Sequence, residues 1–173
     1  MSEPDEKIYI FAKNIIILFM KASSDKERID GFINQKHIAL AGYSRNPKKF
    51  GHDVYKTLKE KGYSIHPVNP AGGTAPGGET IHQSLETLPP EVEALLIMTR
   101  PEVAPQVVEQ ALAKGINRLW IQQMSGSKDL EKLIDDKPAD VIYNRCILLH
   151  ANPKGIHKFH RMILGLFGRL PVL

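Results

Sequence analysis

Five short apolar runs, at 38–41, 65–68, 94–98, 119–122 and 141–143, most constrain how this chain can fold. They are rich in Ile, Val and Leu and too short for core helices, so they read as strands buried on both faces. Between them lie helical patterns at 52–61, 101–114 and 127–136. Two of these end on a basic residue followed by glycine, Lys61-Gly62 and Lys114-Gly115, which is a helix stop. Pro101 suits the first turn of its helix. Strand–helix alternation predicts an α/β fold: a doubly wound, five-stranded parallel sheet with helices on both faces, in the order 3-2-1-4-5. Trp120 lies inside a strand run and reads as core. No internal repeat interrupts the pattern. The low-complexity stretch Ala71-Gly-Gly-Thr-Ala-Pro-Gly-Gly78 reads as a flexible loop after the second strand.

At 173 residues, with 42% apolar and 24% charged, the chain is long enough to close one medium-sized core. Its single cysteine, Cys146, excludes a disulfide framework and a four-cysteine zinc site, and fits a reducing compartment, most simply the cytosol. The net charge of +4 invites a nucleic-acid reading. The distribution argues against it. Residues 151–173 carry Lys154, Lys158, Arg161 and Arg169 and no acid, and without those four the remaining acids and bases balance. Within the rest, 36–61 is locally basic and 71–114 locally acidic.

The ends read differently from the middle. The start is acidic, unlike a signal peptide, and the apolar run Ile8 to Met20 is broken by Lys13 and Asn14. A bilayer span needs about 20 apolar residues, so no membrane span is expected. The run suits a strand or packing arm, and Met20 is an alternative start. Ser24 followed by Glu27 forms a capping-box pattern, so an ordered helix is expected from there. In the tail, Ile156, Phe159, Ile163, Leu166, Phe167 and Leu170 recur at three- and four-residue steps, giving an amphipathic helix with a basic face. Such a helix packs on its own domain or on a second subunit, or meets a membrane surface or nucleic acid. His157 and His160 alone make a weak metal signal, and no metal is expected. Three parts follow: an N-terminal extension, 1–23; a ligand-binding domain, 24–150; and a basic C-terminal helix, 151–173.

In a doubly wound sheet, ligands lie beyond the carboxyl ends of the strands. That rule selects 42–51, 69–79, 99–101, 122–126 and 144–147. In the first, Gly42 permits a tight turn, and Gly51 and His52 open a helix whose free N–H groups attract an anion. Ser44 can donate to a phosphate oxygen, and Arg45, Lys48 and Lys49 place three cations within five residues. The segment reads as an anion loop. It is not a G-x-G-x-x-G fingerprint, and no acid occurs between 61 and 78 to hold the ribose hydroxyls of NAD. Neither a nucleotide-hydrolysing G-x-x-x-x-G-K-[ST] loop nor a G-x-S-x-G elbow occurs. His52, His66 and His150 have no carboxylate or nucleophile paired with them in sequence, and read as packing, capping or ligand hydrogen bonding.

These stretches resemble the CoA-binding domain family, a Rossmann-like module also found at the N-terminus of the succinyl-CoA synthetase α subunit. The matching pieces are Ile38-Ala-Leu-Ala-Gly-Tyr-Ser-Arg-Asn-Pro47 with Lys49-Phe-Gly51, and Gly62-Tyr-Ser-Ile-His-Pro-Val-Asn-Pro70. Then follow Ser84 to Pro90, Arg100 to Pro105, Gly115 to Trp120 with Gln122, and Asn144-Arg-Cys-Ile147, over residues 36–150. The resemblance implies coenzyme A, or an acyl-CoA, bound at the strand ends. The turn Gly42, Tyr43, Ser44, Arg45 through Lys48, Lys49, Phe50 and Gly51 would hold its phosphates. Val68, Asn69 and Pro70 would lie on the adenosine side. Met98, Thr99 and Arg100 would wall the groove, and Gln122 would border it. Cys146, after the fifth strand, could meet the pantetheine thiol and form a mixed disulfide, or be a buried structural cysteine. Two departures stand out: the long Gly-rich loop 71–78, and Gln122-Gln-Met-Ser-Gly126 in place of a shorter Gln-x-Gly. The ligase domain of succinyl-CoA synthetase has no counterpart, since 23 residues follow His150.

The leading expectation is non-catalytic CoA binding for sensing, storage or regulation. A small CoA- or NAD(P)-dependent enzyme, or a subunit lacking its catalytic partner, is the first alternative, though neither triad nor paired carboxylates lie in the five segments. An interaction module built on the basic tail is the second. A homo-oligomer or a protein partner through 151–173 is expected, and nucleic acid is not.

Overall fold

The structure is a computed structural model that describes residues 24–135 and 137–151. The elements run α1 (Asp25–Ile33), β1 (His37–Ala41), α2 (Phe50–Glu60), β2 (Ser64–Val68), β3 (Gly73–Thr74), β4 (Thr80–Ile81), β5 (Ala94–Ile97), α3 (Ala104–Ala113), β6 (Arg118–Gln122), α4 (Lys128–Asp135) and β7 (Asp140–Arg145). The expected arm at 1–23 and the tail helix within 151–173 lie outside the described residues, apart from Ala151. The capping box at Ser24 forms as read: its hydroxyl accepts from the Glu27 amide, and the Glu27 carboxylate accepts from the Ser24 amide at 2.7 Å.

Five strands make one parallel sheet in the order β2-β1-β5-β6-β7. The third long run, Ala94–Ile97, lies beside β1 and not outside β2. The order 3-2-1-4-5 therefore applies only when a shorter segment is counted as the third strand. That segment ends at His82, which bridges Val68 in parallel fashion. It is held by the His82 amide donating to Pro67 and the Asn69 amide donating to His82. Pro67 has no N–H for a ladder, which suits a strand with so thin a neighbour.

Side chains alternate across the sheet and build a core on each face. Ile38, Leu40, Leu96 and Trp120 meet Phe32 of α1 and Val54 and Leu58 of α2. Ala39, Leu95, Ile97 and Ile121 meet Val107 and Val108 of α3 and Leu130 of α4. Residues 94–97 are buried without exception, the reason β5 reads as an unbroken apolar run. Trp120 is fully buried, and its indole N–H donates to the Arg145 carbonyl at 2.8 Å.

Two boundaries differ from expectation. The third helix begins at Ala104, not at residue 101, because Pro105 fits only the first helical turn; Pro101 sits in the turn before it. The last strand runs on to Arg145 through an irregularity that shifts its register between Trp120 and Gln122, with Asn144 at φ 55°. Both glycine stops hold. The Gly62 and Tyr63 amides donate to Lys59 and Leu58, and those of Gly115 and Ile116 to Leu112 and Ala111, the paired bonds that close a helix C-terminus.

Candidate functional site

The carboxyl ends of β1, β2 and β5 converge on Gly42. Its φ is +87°, and a Cβ built there would stand 2.7 Å from the Met98 carbonyl and from the Thr99 amide nitrogen. Only glycine lets the β1 turn press so closely on the end of β5. The loop beyond it is folded by its own side chains. Ser44 Oγ accepts from the Asn46 amide at 3.2 Å, and Asn46 Oδ1 accepts from the Lys48 amide at 3.0 Å. Arg45, Lys48 and Lys49 are exposed and make no ion pair among the described residues. Helix α2 then starts at Phe50 with Lys49 as N-cap and no side-chain cap; the His52 amide donates back to the Lys49 carbonyl at 2.8 Å, and the Phe50 and Gly51 amides are left to another acceptor.

Two buried polar atoms in this region have no partner: Nε2 of His52, in the first turn of α2, and Oγ1 of Thr99, at the end of β5. The other His52 nitrogen, Nδ1, lies 3.4 Å from the Tyr43 hydroxyl, and the two rings stack with centroids 4.7 Å apart. Beside His52, a Cβ on Gly51 would meet nothing closer than the Gly42 carbonyl at 3.9 Å, so this glycine leaves room in front of the helix. The sequence left His52 open between packing, capping and ligand hydrogen bonding; its orphaned nitrogen is visible only once Tyr43 is seen to occupy the other.

Several residues expected to contact a ligand are buried or hydrogen-bonded within the protein. Tyr43 is 1% exposed and packs on His52 and Tyr55; burial raises its phenol above the ordinary value. Its amide donates to the Val68 carbonyl, and Val68 is buried. Asn69 Nδ2 donates to the Tyr43 carbonyl at 2.6 Å, while Oδ1 accepts from the Ala71 amide at 2.9 Å. Pro70 and Arg100 are exposed at the rim, and Phe50, Met98 and Thr99 are half-buried. Gln122 is 3% exposed, and its Oε1 accepts from the Ile147 amide at 3.1 Å. Cys146 is buried in the α1/α2-side core. These last two lie at the ends of β6 and β7, away from the β1–β2 turn in the strand order.

The Gly-rich loop 71–78 is a small antiparallel hairpin, β3 against β4, rather than a featureless connection. Glu79 ties it to α2 by an ion pair with Lys59 and a hydrogen bond from the Tyr55 hydroxyl. A Cβ on Gly77 would strike all three side chains, at 2.5–2.6 Å. Met124 is a second residue not singled out by sequence. It is 73% exposed with φ 71°, in the loop after β6 where Gln122-Gln-Met-Ser-Gly126 had marked a departure. Among the described residues, no cluster of three or more His, Cys, Asp or Glu could hold a metal ion, and no helix is long and apolar enough to cross a membrane.

Comparison with known proteins places this geometry in context. A family model described as "CoA binding domain" matches residues 36–152. The protein YneT of Bacillus subtilis (strain 168), itself uncharacterised, is 31% identical over 69% of this chain and 88% of its own length. The acetate–CoA ligase (ADP-forming) II subunit alpha of Pyrococcus furiosus is 33% identical over 54% of this chain, which spans only 20% of that subunit. A solved structure of a hypothetical protein from Pyrococcus horikoshii OT3 superposes with a TM-score of 0.65 at 28% identity, covering 73% of this chain and 88% of that one.

Proposed function

The chain belongs to the CoA-binding domain family, and on that premise we propose that it binds coenzyme A or an acyl-CoA at the ends of β1, β2 and β5 without itself catalysing a reaction. The observation that carries this is the pair of orphaned buried atoms, His52 Nε2 and Thr99 Oγ1, on either side of the Gly42 turn. Buried polar atoms without partners are costly, and a ligand with acceptors and donors would satisfy them. A phosphate fits His52 Nε2 as a donor, because Nδ1 then accepts from Tyr43. The uncapped amides of α2 and the unpaired Arg45, Lys48 and Lys49 suit the same anion. Coenzyme A carries a 3′-phosphate besides its diphosphate, so three neighbouring cations favour it over NAD. Phe50, Pro70, Met98 and Arg100 would border the bound cofactor, with Tyr43, Val68, Asn69 and Gln122 holding the frame.

Calorimetric titration with coenzyme A, dephospho-CoA, NAD and NADP tests the reading. Coenzyme A binding well ahead of dephospho-CoA supports it. NAD binding without coenzyme A binding would falsify it.

A second reading follows from the likeness to the ligase alpha subunit, of which this chain spans a fifth. The chain would then present CoA to a separate catalytic protein, with the basic helix expected within 151–173 as the contact or as the means of homo-oligomerisation. Deleting 152–173 separates the roles: CoA affinity should persist while self-association or partner capture is lost.

A further inference from the structure

Three histidines form a row at the edge of the sheet. Nδ1 of His37, on β1, lies 3.3 Å from Nε2 of His66, on β2. The His66 ring stands 6.0 Å from that of His82, just past β4, and His82 Nδ1 is 3.3 Å from the Thr87 hydroxyl. The strand period puts His37 and His66 on the face of Ala39 and Val68, at its partly covered margin. A neutral imidazole has one donor and one acceptor nitrogen, whereas an imidazolium has two donors. The His37–His66 contact is therefore a hydrogen bond only while one of the facing nitrogens is bare. Burial, then His37 and then His82, hold His66 below the ordinary imidazole range. Glu91, in the segment before β5, is the opposing charge.

The row ends at the thinnest edge of the sheet, beyond the point where Glu79 fastens the hairpin to α2. His82 meets β2 by a single bridge and two backbone bonds, following a hairpin with two residues in each strand. One of those bonds comes from the amide of Asn69, whose side chain holds the Tyr43 carbonyl at the root of the anion loop.

We propose that the His37–His66–His82 row is a proton-sensitive latch: acid that charges it releases the edge segment at His82, and with it the Asn69 tie to the anion loop. Where both facing nitrogens carry protons, the His37–His66 hydrogen bond is lost and the rings repel, and the segment with the fewest bonds yields first. The latch needs no ligand. Its effect on coenzyme A rests on the binding reading above.

Amide hydrogen exchange of the ligand-free full chain tests it at pH 7.5 and 5.5, with rates corrected for the intrinsic pH dependence. Protection of the Asn69 and His82 amides is expected to fall several-fold at pH 5.5. The Leu96 and Ile121 amides, inside the sheet, should keep theirs. His66→Gln and, separately, His37→Gln should flatten the change, and either folded variant suffices for the comparison. Unchanged protection in the wild type, or an equal loss in the variants, overturns the latch. Titrating coenzyme A at the same two pH values then reads the coupling: an acid-dependent loss of affinity that the variants lack supports it, and an equal loss in all forms overturns it. If coenzyme A binds at neither pH, the binding reading fails while the exchange data still decide the latch.

Discussion

Asn69 ties two loops together through one side chain: its Nδ2 donates to the Tyr43 carbonyl at 2.6 Å, and its Oδ1 accepts from the Ala71 amide at 2.9 Å. An aspartate keeps the second bond, loses the first donor and adds a negative charge beside the anion loop. Asn69→Asp is therefore expected to weaken coenzyme A binding at least about tenfold, as like charges do at close range. Asn69→Ala is expected to lower stability by about 1–2 kcal/mol, since both bonds go. Calorimetry and urea unfolding read the two effects separately.

Gly42→Ala should be among the most damaging single-methyl changes in the chain. The added carbon meets the backbone of Met98 and Thr99 at 2.7 Å, and backbone cannot swing away. With the positive φ added, a loss of about 2–4 kcal/mol in urea unfolding is expected. A change below about 0.5 kcal/mol, the scatter of an ordinary surface substitution, would contradict the close approach.

Arg45→Ala is the opposite kind of change. Arg45 is exposed and unpaired among the described residues, so stability should be unaltered. Coenzyme A affinity should fall by roughly 1–3 kcal/mol, the range for a charged hydrogen bond to phosphate, and the loss should shrink in high salt. An unchanged affinity removes Arg45 from the site.

Stability should decline as pH falls below about 6.5, the ordinary imidazole value. Burial is the largest influence lowering both His66 and His150; His37 and His82 add to it at His66, and Arg145 at His150. Below 6.5 the unfolded chain binds protons that the folded chain refuses, so acid favours unfolding until the lowered folded values are reached. Urea midpoints at pH 7.5, 6.5 and 5.5 check the sign. His150→Gln should remove one part of the slope, and His66→Gln the other.

Incubation of the folded chain with CoA disulfide should give no CoA-sized mass adduct. The Cys146 side chain is 3% exposed within the core, and thiol exchange needs an accessible thiolate. An adduct on native protein that Cys146→Ser abolishes would restore the mixed-disulfide idea.

The sheet and its covering helices were largely legible because burial on both faces leaves β5 no polar position and β6 none between Arg118 and Gln122. The loop 42–51 stood out in the sequence for another reason: glycines, cations and a helix start lie next to one another. What escaped depends on register. His37, His66 and His82 are far apart along the chain and meet only because β1, β2 and the His82 segment are neighbours. The burial of Tyr43 and Gln122 escaped for a similar reason: position along the chain was readable, while the direction of the side chain follows from packing. Periodicity likewise cannot show the extra residue that carries β7 past Tyr143, because it is a mismatch with β6.

The anchoring of Gly77 and Glu79 onto Lys59 and Tyr55 bears on how the groove could open. One lip of the groove, residues 71–79, is fastened to α2 and must travel with it. In the proposed site, widening the groove to admit a bulky acyl chain would fall to the opposite lip, Met98 to Arg100 and the loop carrying Met124, which make no side-chain hydrogen bond or ion pair to α2 among the described residues. Plasticity toward different ligands would then belong to one side of that site, and constancy of grip to the other.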